Sequence, residues 1–435
     1  MQHPVYTSLE VQSYQSQLEM VNDFYLGIDE AAEYLIQYTR EDTDTFKKRL
    51  RMATLDNYVR RAVVSIRDII FRKPINTSAV ETTSFGDYLN KIDLQNNLTD
   101  FAKQLTINAA KDGFTFLLVE KEPYEDVATQ ADALTKRPYF VNITRDRVRN
   151  WLVDEFGTFE MITIDESYVE SAGLYSRKIA IQQRVYFNDG RVEIWRTKGK
   201  KYFKHQEIQT GLDFIPIVKI GRDDLPPFYD LAKLNANHMN LISEQRNYAR
   251  IAAAPIPVMY MPDNNEGKVV TVGVSDGISF SGPKRDAGFE WMELKGTNNT
   301  VLNELIDRDE ANMRTYLSEL LSTDTVKTAK EVGVLNTGNE SRLGHYAEIV
   351  ESGLNEGFRL MAIYQGDTSY DAQIGINRDY FDKRLTDAEV TAYKAMYAEN
   401  VISWETLMQL LIDGEILPPM TEEEIATEKA RLSAI

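Results

Sequence analysis

Four histidines, His3, His205, His238 and His345, are the first candidates for chemistry, because imidazole is the commonest acid–base and metal-ligating side chain. No two of them stand at a spacing such as HExxH, which would place two imidazoles on one helix face. His238 and His345 fall in stretches of helical periodicity with polar neighbours, where no ligand or catalytic role is expected. The chain has no cysteine, which removes disulfides, thiolate metal sites and a thiol nucleophile together. Neither GxGxxG nor GxxxxGK(S/T) occurs, so no dinucleotide cradle and no ATPase P-loop is indicated. Gly199-Lys200-Lys201 lacks the glycine-rich lead-in and the trailing hydroxyl, and is expected at a hairpin tip. Carboxylates remain. Asp223/Asp224, Asp307/Asp309 and Glu422/Glu423/Glu424 stand close enough for a two-metal nuclease or a glycosidase pair. With 67 acidic residues in the chain such pairs arise by chance, and Asp307-Arg308-Asp309-Glu310 alternates charge as a solvated helix face does. No catalytic, metal-binding or cofactor-binding residue is assigned, and a non-enzymatic role without cofactors is expected.

The elements available to position side chains are mainly helical. Residues 8–38 carry apolar positions at helical spacing with a break near Gly27, and 44–72 read as one helix. In the latter, Tyr58, Val59, Ala62, Val63, Ile66, Ile69 and Ile70 form a stripe, Arg60, Arg61, Arg67 and Arg72 lie on or beside the other face, and Pro74 ends the run. Because acids are interspersed, this basic face is expected to be solvated or to meet another subunit rather than nucleic acid. A helix over 98–112 should stop at Gly113. Strands are expected at 114–119, 139–143, 159–164 and 215–220. A hairpin over 178–187 and 191–197 turns at Asn188-Asp189-Gly190, where Asp-Gly predicts a type I′ turn. Asp223-Asp224-Leu225-Pro226-Pro227 is the strongest linker signal.

Beyond it the order of elements becomes distinctive. A long helix over 228–252, a β-rich module over 256–295 and a second helix over 300–321 follow one another, the last with a stripe of Leu302, Leu305, Ile306, Met313, Tyr316, Leu317, Leu320 and Leu321. The module thus reads as a knob carried on two helices, an insertion that leaves the α/β body and returns to it. Residues 322–338 are polar and lack an apolar stripe, which predicts a loop. Helix resumes by 340–364, and the tail from 386 is helical with two capping boxes, at Thr386 to Glu389 and Thr421 to Glu424. The fold class expected is α+β, mainly helical.

Length and charge bound the rest. The 435 residues suggest two or three domains, and 43% hydrophobic residues suffice for a large core. No run approaches the ~20 apolar residues of a membrane helix, and no signal peptide is evident, so a soluble intracellular protein without membrane contact is expected. The net charge of −18 argues against tight nonspecific binding of nucleic acid. It is compatible with DNA that must slide past an acidic wall.

The chain resembles the portal proteins of tailed bacteriophages. The resemblance is carried by Val5-Tyr6, Phe71-Arg72-Lys73-Pro74, Pro226-Pro227-Phe228-Tyr229-Asp230-Leu231-Ala232 with Asn235, His238 and Tyr248, and Pro255-Ile256-Pro257-Val258. Further residues are Thr328-Ala329-Lys330-Glu331-Val332, Asn377-Arg378-Asp379-Tyr380-Phe381 and Ile402-Ser403-Trp404-Glu405-Thr406-Leu407. In that family an acidic residue often precedes the Thr-Ala pair, where Lys327 stands here. The resemblance implies a portal-like fold: an α/β wing over 1–225, a first stem helix over 226–252 and a clip over 253–299. It further implies a second stem helix over 300–321, a tunnel loop over 322–338, a wing helix and return over 339–384, and a helical crown over 385–435. It implies a self-assembled ring, usually of twelve subunits, at one capsid vertex of a virion assembled in the bacterial cytoplasm. Double-stranded DNA would pass through the ring. The partners implied are the capsid protein, the terminase large subunit and head-completion or adaptor proteins. Thr323, Thr325, Lys327 and Lys330 are then the residues expected to face DNA in the channel. Two other readings are another viral structural adaptor, and a metal-dependent hydrolase using paired carboxylates.

Overall fold

A computed structural model describes the chain except for residues 1–5, 40, 122–136, 173–175, 199–200, 254–255, 262–269, 273–274, 282–287, 293–296, 322–328, 379, 381–384, 386, 400, 415, 418–419, 421–424, 426, 428, 430 and 432–435. It forms two compact units, Met1–Asn377 and Arg378–Ile435. Helices and mainly antiparallel sheets make the first unit α+β.

The N-terminal third is helical: α1 (Leu9–Ser13), α2 (Gln15–Leu26), α3 (Ile28–Ala31), α4 (Thr43–Met52), α5 (Tyr58–Ile70), α6 (Ser78–Glu81) and α7 (Leu98–Asp112). The two long runs expected from periodicity are therefore divided. The stretch 44–72 breaks at 53–57 because Asn57 starts a new helix, its side chain accepting from the Arg60 amide at 2.8 Å and its own amide donating to the Phe24 carbonyl at 2.5 Å. Capping asparagine competes with helix continuation. The α5 stripe is buried as expected. Its arginines are engaged within the fold: Arg60 donates to the Tyr25 and Leu26 carbonyls at the end of α2, Arg61 pairs with Asp56 and Arg67 with Asp68.

Two sheets follow. Strands β1 (Phe114–Lys121), β2 (Pro138–Ile143) and, later, β8 (Ile217–Gly221) pair in the order β2-β1-β8. Strands β3 (Val148–Val153), β4 (Phe159–Ala172), β5 (Arg177–Phe187), β6 (Arg191–Lys198) and β7 (Lys201–Gln209) form a five-stranded meander in chain order. The sheets share a core that includes Phe114, Phe116, Ile143, Ile162, Tyr186 and Val192. The turn between β5 and β6 is not type I′. Among residues 188–190 only Gly190 has positive φ, at 78°, and its amide donates to the Phe187 carbonyl at 3.1 Å. That is a type I turn closed by a left-handed glycine, the three-residue alternative that the same Asp-Gly pair serves.

The chain then makes α8 (Tyr229–Ala252), β9 (Ile256–Met261), β10 (Val270–Val272), β11 (Ser275–Ser281), β12 (Gly288–Met292) and α9 (Thr297–Leu321). The four strands form their own sheet in the order β10-β11-β9-β12, with β11 and β9 parallel. Helix α10 (Ala329–Tyr364) runs back across the three-stranded sheet. Gly353 and Gly357, one turn apart, permit the close fit: a Cβ at the first would overlap Ile220, and at the second Leu117 and Phe140. Because α10 begins at Ala329, residues 329–338 are helical backbone and not part of a loop, a correction to the polar stretch expected over 322–338. Ala329, Lys330, Glu331 and Leu335 are good helix formers, and a stripe is not needed where a helix is continued from a packed segment. The second unit contains α11 (Asp387–Ala398) and α12 (Trp404–Asp413), the latter capped by Ser403. The capping boxes expected at Thr386 and over 421–424 lie, wholly or at their cap residue, outside the described residues.

Candidate functional site

The insertion formed by α8, the small sheet and α9 is the feature most able to act, and its root is built from both ends of the first unit. Burial along α8 is graded. Phe228, Leu231, Ala232, Asn235, Ala236, His238, Met239 and Ser243 are buried, whereas Arg246, Ala249 and Arg250 are exposed. The helix is thus bedded in the body over its first half and only partly covered, along α4, beyond Ser243. In α9 the buried positions Ile306, Asp309 and Met313 recur at helical spacing on one side, and Val301, Glu304, Asp307, Arg308 and Arg314 are exposed. Such a one-sided stripe is that of a helix covered along one face.

Polar side chains lock the root. The buried amide of Asn235 spans the helix break at 53–57, accepting from the Tyr58 amide and donating to the Asp56 carbonyl. One turn on, Asn240 accepts from the Ile36 amide at 2.9 Å and donates to the Tyr34 carbonyl at 3.1 Å. Ser243 accepts from Arg49, itself buried and paired with Glu41 at 2.9 Å. Toward α9, the Tyr316 hydroxyl donates to the Pro227 carbonyl at 2.9 Å, and Gln245 donates to Asn303 at 2.5 Å. His238 lies edge-on to Tyr58, its Nε2 3.5 Å from Glu310 Oε1. Sequence periodicity had placed His238 among polar neighbours; it is 1% exposed. Asp309 likewise turns inward, at 7% exposure, although the alternating charges around it predict a solvated face.

The linker at 223–227 is pinned rather than loose. Arg145, buried after β2, donates to the Asp112 carbonyl at 2.7 Å, the Asp224 carbonyl at 2.6 Å and the Asp223 carbonyl at 3.4 Å. One guanidinium thus joins the end of α7 to the entrance of the insertion, a use that matches its fixed fork of donors. Gly113 (φ 84°) and Gly221 (φ 100°) let the two chain segments touch: a Cβ on Gly113 would overlap the Asp223 carbonyl, and one on Gly221 the Gly113 carbonyl. Beside them Asp112 is wholly buried, its Oδ1 2.5 Å from Lys111 Nζ. Burial pushes its carboxyl up to about 6 against the pull of that lysine.

Of the channel-facing candidates, Thr323, Thr325 and Lys327 lie outside the described residues, and Lys330 is placed only as backbone in the first turn of α10. Among the described residues no group of three His, Asp or Glu side chains could hold a metal ion, and no helix is long and apolar enough to cross a membrane. Asp223 and Asp224 contribute their backbone carbonyls to the root, and Glu422, Glu423 and Glu424 lie outside the described residues. Arg145 and Asn240 escaped sequence reading, and Asn235 entered it only as part of the family resemblance and without a role, since nothing in spacing marks a side chain whose partners are distant backbone groups.

Residues 227–365 match the model of a domain of unknown function, DUF4055. Its limits coincide with the insertion and the long helix after it. No curated protein matches the chain. Among solved structures, the chain is similar at 14% identity and a TM-score of 0.41 to a chain of the virion of a native gene transfer agent (GTA) particle. It is similar at 12% identity and 0.41 to a chain of the neck of the native GTA particle computed with C12 symmetry. A chain of the neck of the empty particle, computed with C6 symmetry, gives 12% and 0.35. Each match covers 83% of this chain and 90% of the other.

Proposed function

We propose that the chain is the subunit of a portal ring: a structural component of a phage-type particle, seated at one capsid vertex, through which double-stranded DNA is packaged and ejected. The observation that carries this reading is the insertion itself, two helices of 24 and 25 residues bearing a four-stranded module away from an α+β body to which both are bolted. At 1.5 Å per residue each helix is about 36–38 Å long. In the proposed assembly these helices are the stem, the small sheet is the clip, the sheets and N-terminal helices are the wing, and the C-terminal unit belongs to the crown.

The physical logic is that of incomplete burial. A helix whose outer half is only partly covered and a sheet of four short strands gain stability from neighbours, and a closed ring supplies neighbours on both sides. A net charge of −18 suits a channel wall past which phosphates slip. The role requires no catalysis of this chain: the terminase large subunit would supply the energy while docked to the ring, and adaptor proteins would replace it afterwards. Lys327 and Lys330, one pair from each of twelve subunits, would give a weak band of positive charge touching DNA. A gold-labelled antibody against the chain should mark a single site on each particle. Uniform labelling over the shell, or none on purified particles, would refute the placement at one vertex.

A further inference from the structure

The five-stranded sheet carries a knob at one lateral edge, and toward its other edge a hole opens between its β5–β7 face and the three-stranded sheet. The knob is the turn between β3 and β4. Asp154 builds it by accepting from the Phe156 amide at 2.9 Å and the Thr158 amide at 2.8 Å, while its own amide donates to the Thr158 carbonyl and its carbonyl accepts from Gly157. This closed loop holds the Phe156 side chain out at 85% exposure, with Leu152 and Val153 half-exposed beneath it. An aromatic ring presented to solvent by a rigid turn is the kind of side chain that anchors an interface.

The hole is a cavity of about 450 Å³ against β6 and β7, floored by Val192, Ile194 and Ile208 and walled by Tyr139, Tyr186 and Lys121. It has room for a phenyl ring and a flanking group. Sheet order places β3 and β7 at opposite edges. Register places knob and hole at the same end of the strands: Met161, next to the knob, pairs with Phe187, and Val192 pairs with both Tyr186 and Ile208. Charge is complementary as well. Arg184 in the hole is occupied by Glu120 and Glu166, but Lys121 donates to the Tyr364 carbonyl and burial alone pulls its pKa down. Acidic Asp154 and Glu155 flank Phe156 on the knob.

We infer that Phe156 of one copy seats in the Val192–Ile194–Ile208 cavity of the next copy, with Glu155 brought to Lys121, as a lateral contact of the ring. Knob and hole on different faces make a heterologous interface, which closes into a ring when the rotation permits. The inference rests on the proposed ring and specifies one contact that builds it.

The absence of native cysteine makes the test clean. Chains carrying both Glu155→Cys, which leaves Phe156 in place, and Gln206→Cys on the exposed rim of the hole should give a ladder of covalent oligomers with a short bis-maleimide, and each single variant should not. Double-variant rings of parental mass that yield no ladder would overturn the contact and leave the ring standing; a parent chain that forms no ring would remove both. Independently, Phe156→Ala should raise the concentration for half-assembly about tenfold or more, as loss of an aromatic anchor does, with monomer stability unchanged. An unchanged assembly concentration would also overturn the contact.

Discussion

Asn235 accepts the Tyr58 amide at 3.0 Å while its own amide donates to the Asp56 carbonyl at 2.8 Å, so one wholly buried side chain joins the first insertion helix to the break before α5. Alanine there would remove both bonds, while the Tyr58 amide keeps the Asp56 carbonyl at 3.0 Å and Asp56 itself is exposed, so the loss is that of the two bonds, at roughly 0.5–1.5 kcal/mol each. Asn235→Ala is expected to lower unfolding free energy by roughly 1–3 kcal/mol, read as a shift in the urea midpoint at constant slope.

The two glycines at the root should be far less replaceable than glycine at an exposed turn. Gly113 and Gly157 have almost the same φ, 84° and 82°, but a Cβ overlaps the Asp223 carbonyl at the first and meets nothing within 4 Å at the second. Gly157→Ala should cost about 1 kcal/mol for the left-handed backbone alone. Gly113→Ala should cost several-fold more, in the same thermal melt.

Arg145→Lys keeps the charge but replaces a rigid fork by a single ammonium, which cannot span the Asp112 and Asp224 carbonyls as the fork does. The amides of Gly113 and Tyr229, bonded on either side of the pin to the Ala109 and Pro226 carbonyls, should then exchange hydrogen at least about tenfold faster, a local opening that needs only ~1.4 kcal/mol. Exchange confined to other segments would contradict the role of Arg145 as the pin of the linker.

Asp112 sets a pH dependence. Its carboxyl is pushed up to about 6 by burial from an ordinary value of 3.8, so the folded state holds the proton more tightly than the unfolded chain. Its favourable contribution is full below about pH 4 and is lost as pH rises through about 6. Between those values the parent should lose roughly 3 kcal/mol relative to Asp112→Asn, as about two pKa units correspond to that much. Urea midpoints of both chains across pH 4–7 measure the difference; parallel curves would refute it.

What could be read from sequence alone follows from which forces are local. Helix α7 ends at Gly113 as expected, because an Asn97 cap and a glycine stop are written in adjacent residues. The helix–module–helix order was legible because Pro, Gly and Asn punctuate it and its apolar periodicity is long. Breaks at Tyr14 and at 53–57 were not, since apolar spacing continues across them, the first has no side-chain cap and the second rests on Asn57 alone. The inward turn of His238 and Asp309 was invisible for a different reason. Their partners, Tyr58 and Glu310 for the first, come from elements that only the tertiary fold brings together.

The mass of the native assembly tests the central claim most directly. Purified chain measured by native mass spectrometry over a range of salt and concentration should give a closed oligomer of about twelve times 49.8 kDa, with a central channel in negative-stain images of the same sample. A single species of 49.8 kDa at every condition, or open chains of indefinite length, would contradict it.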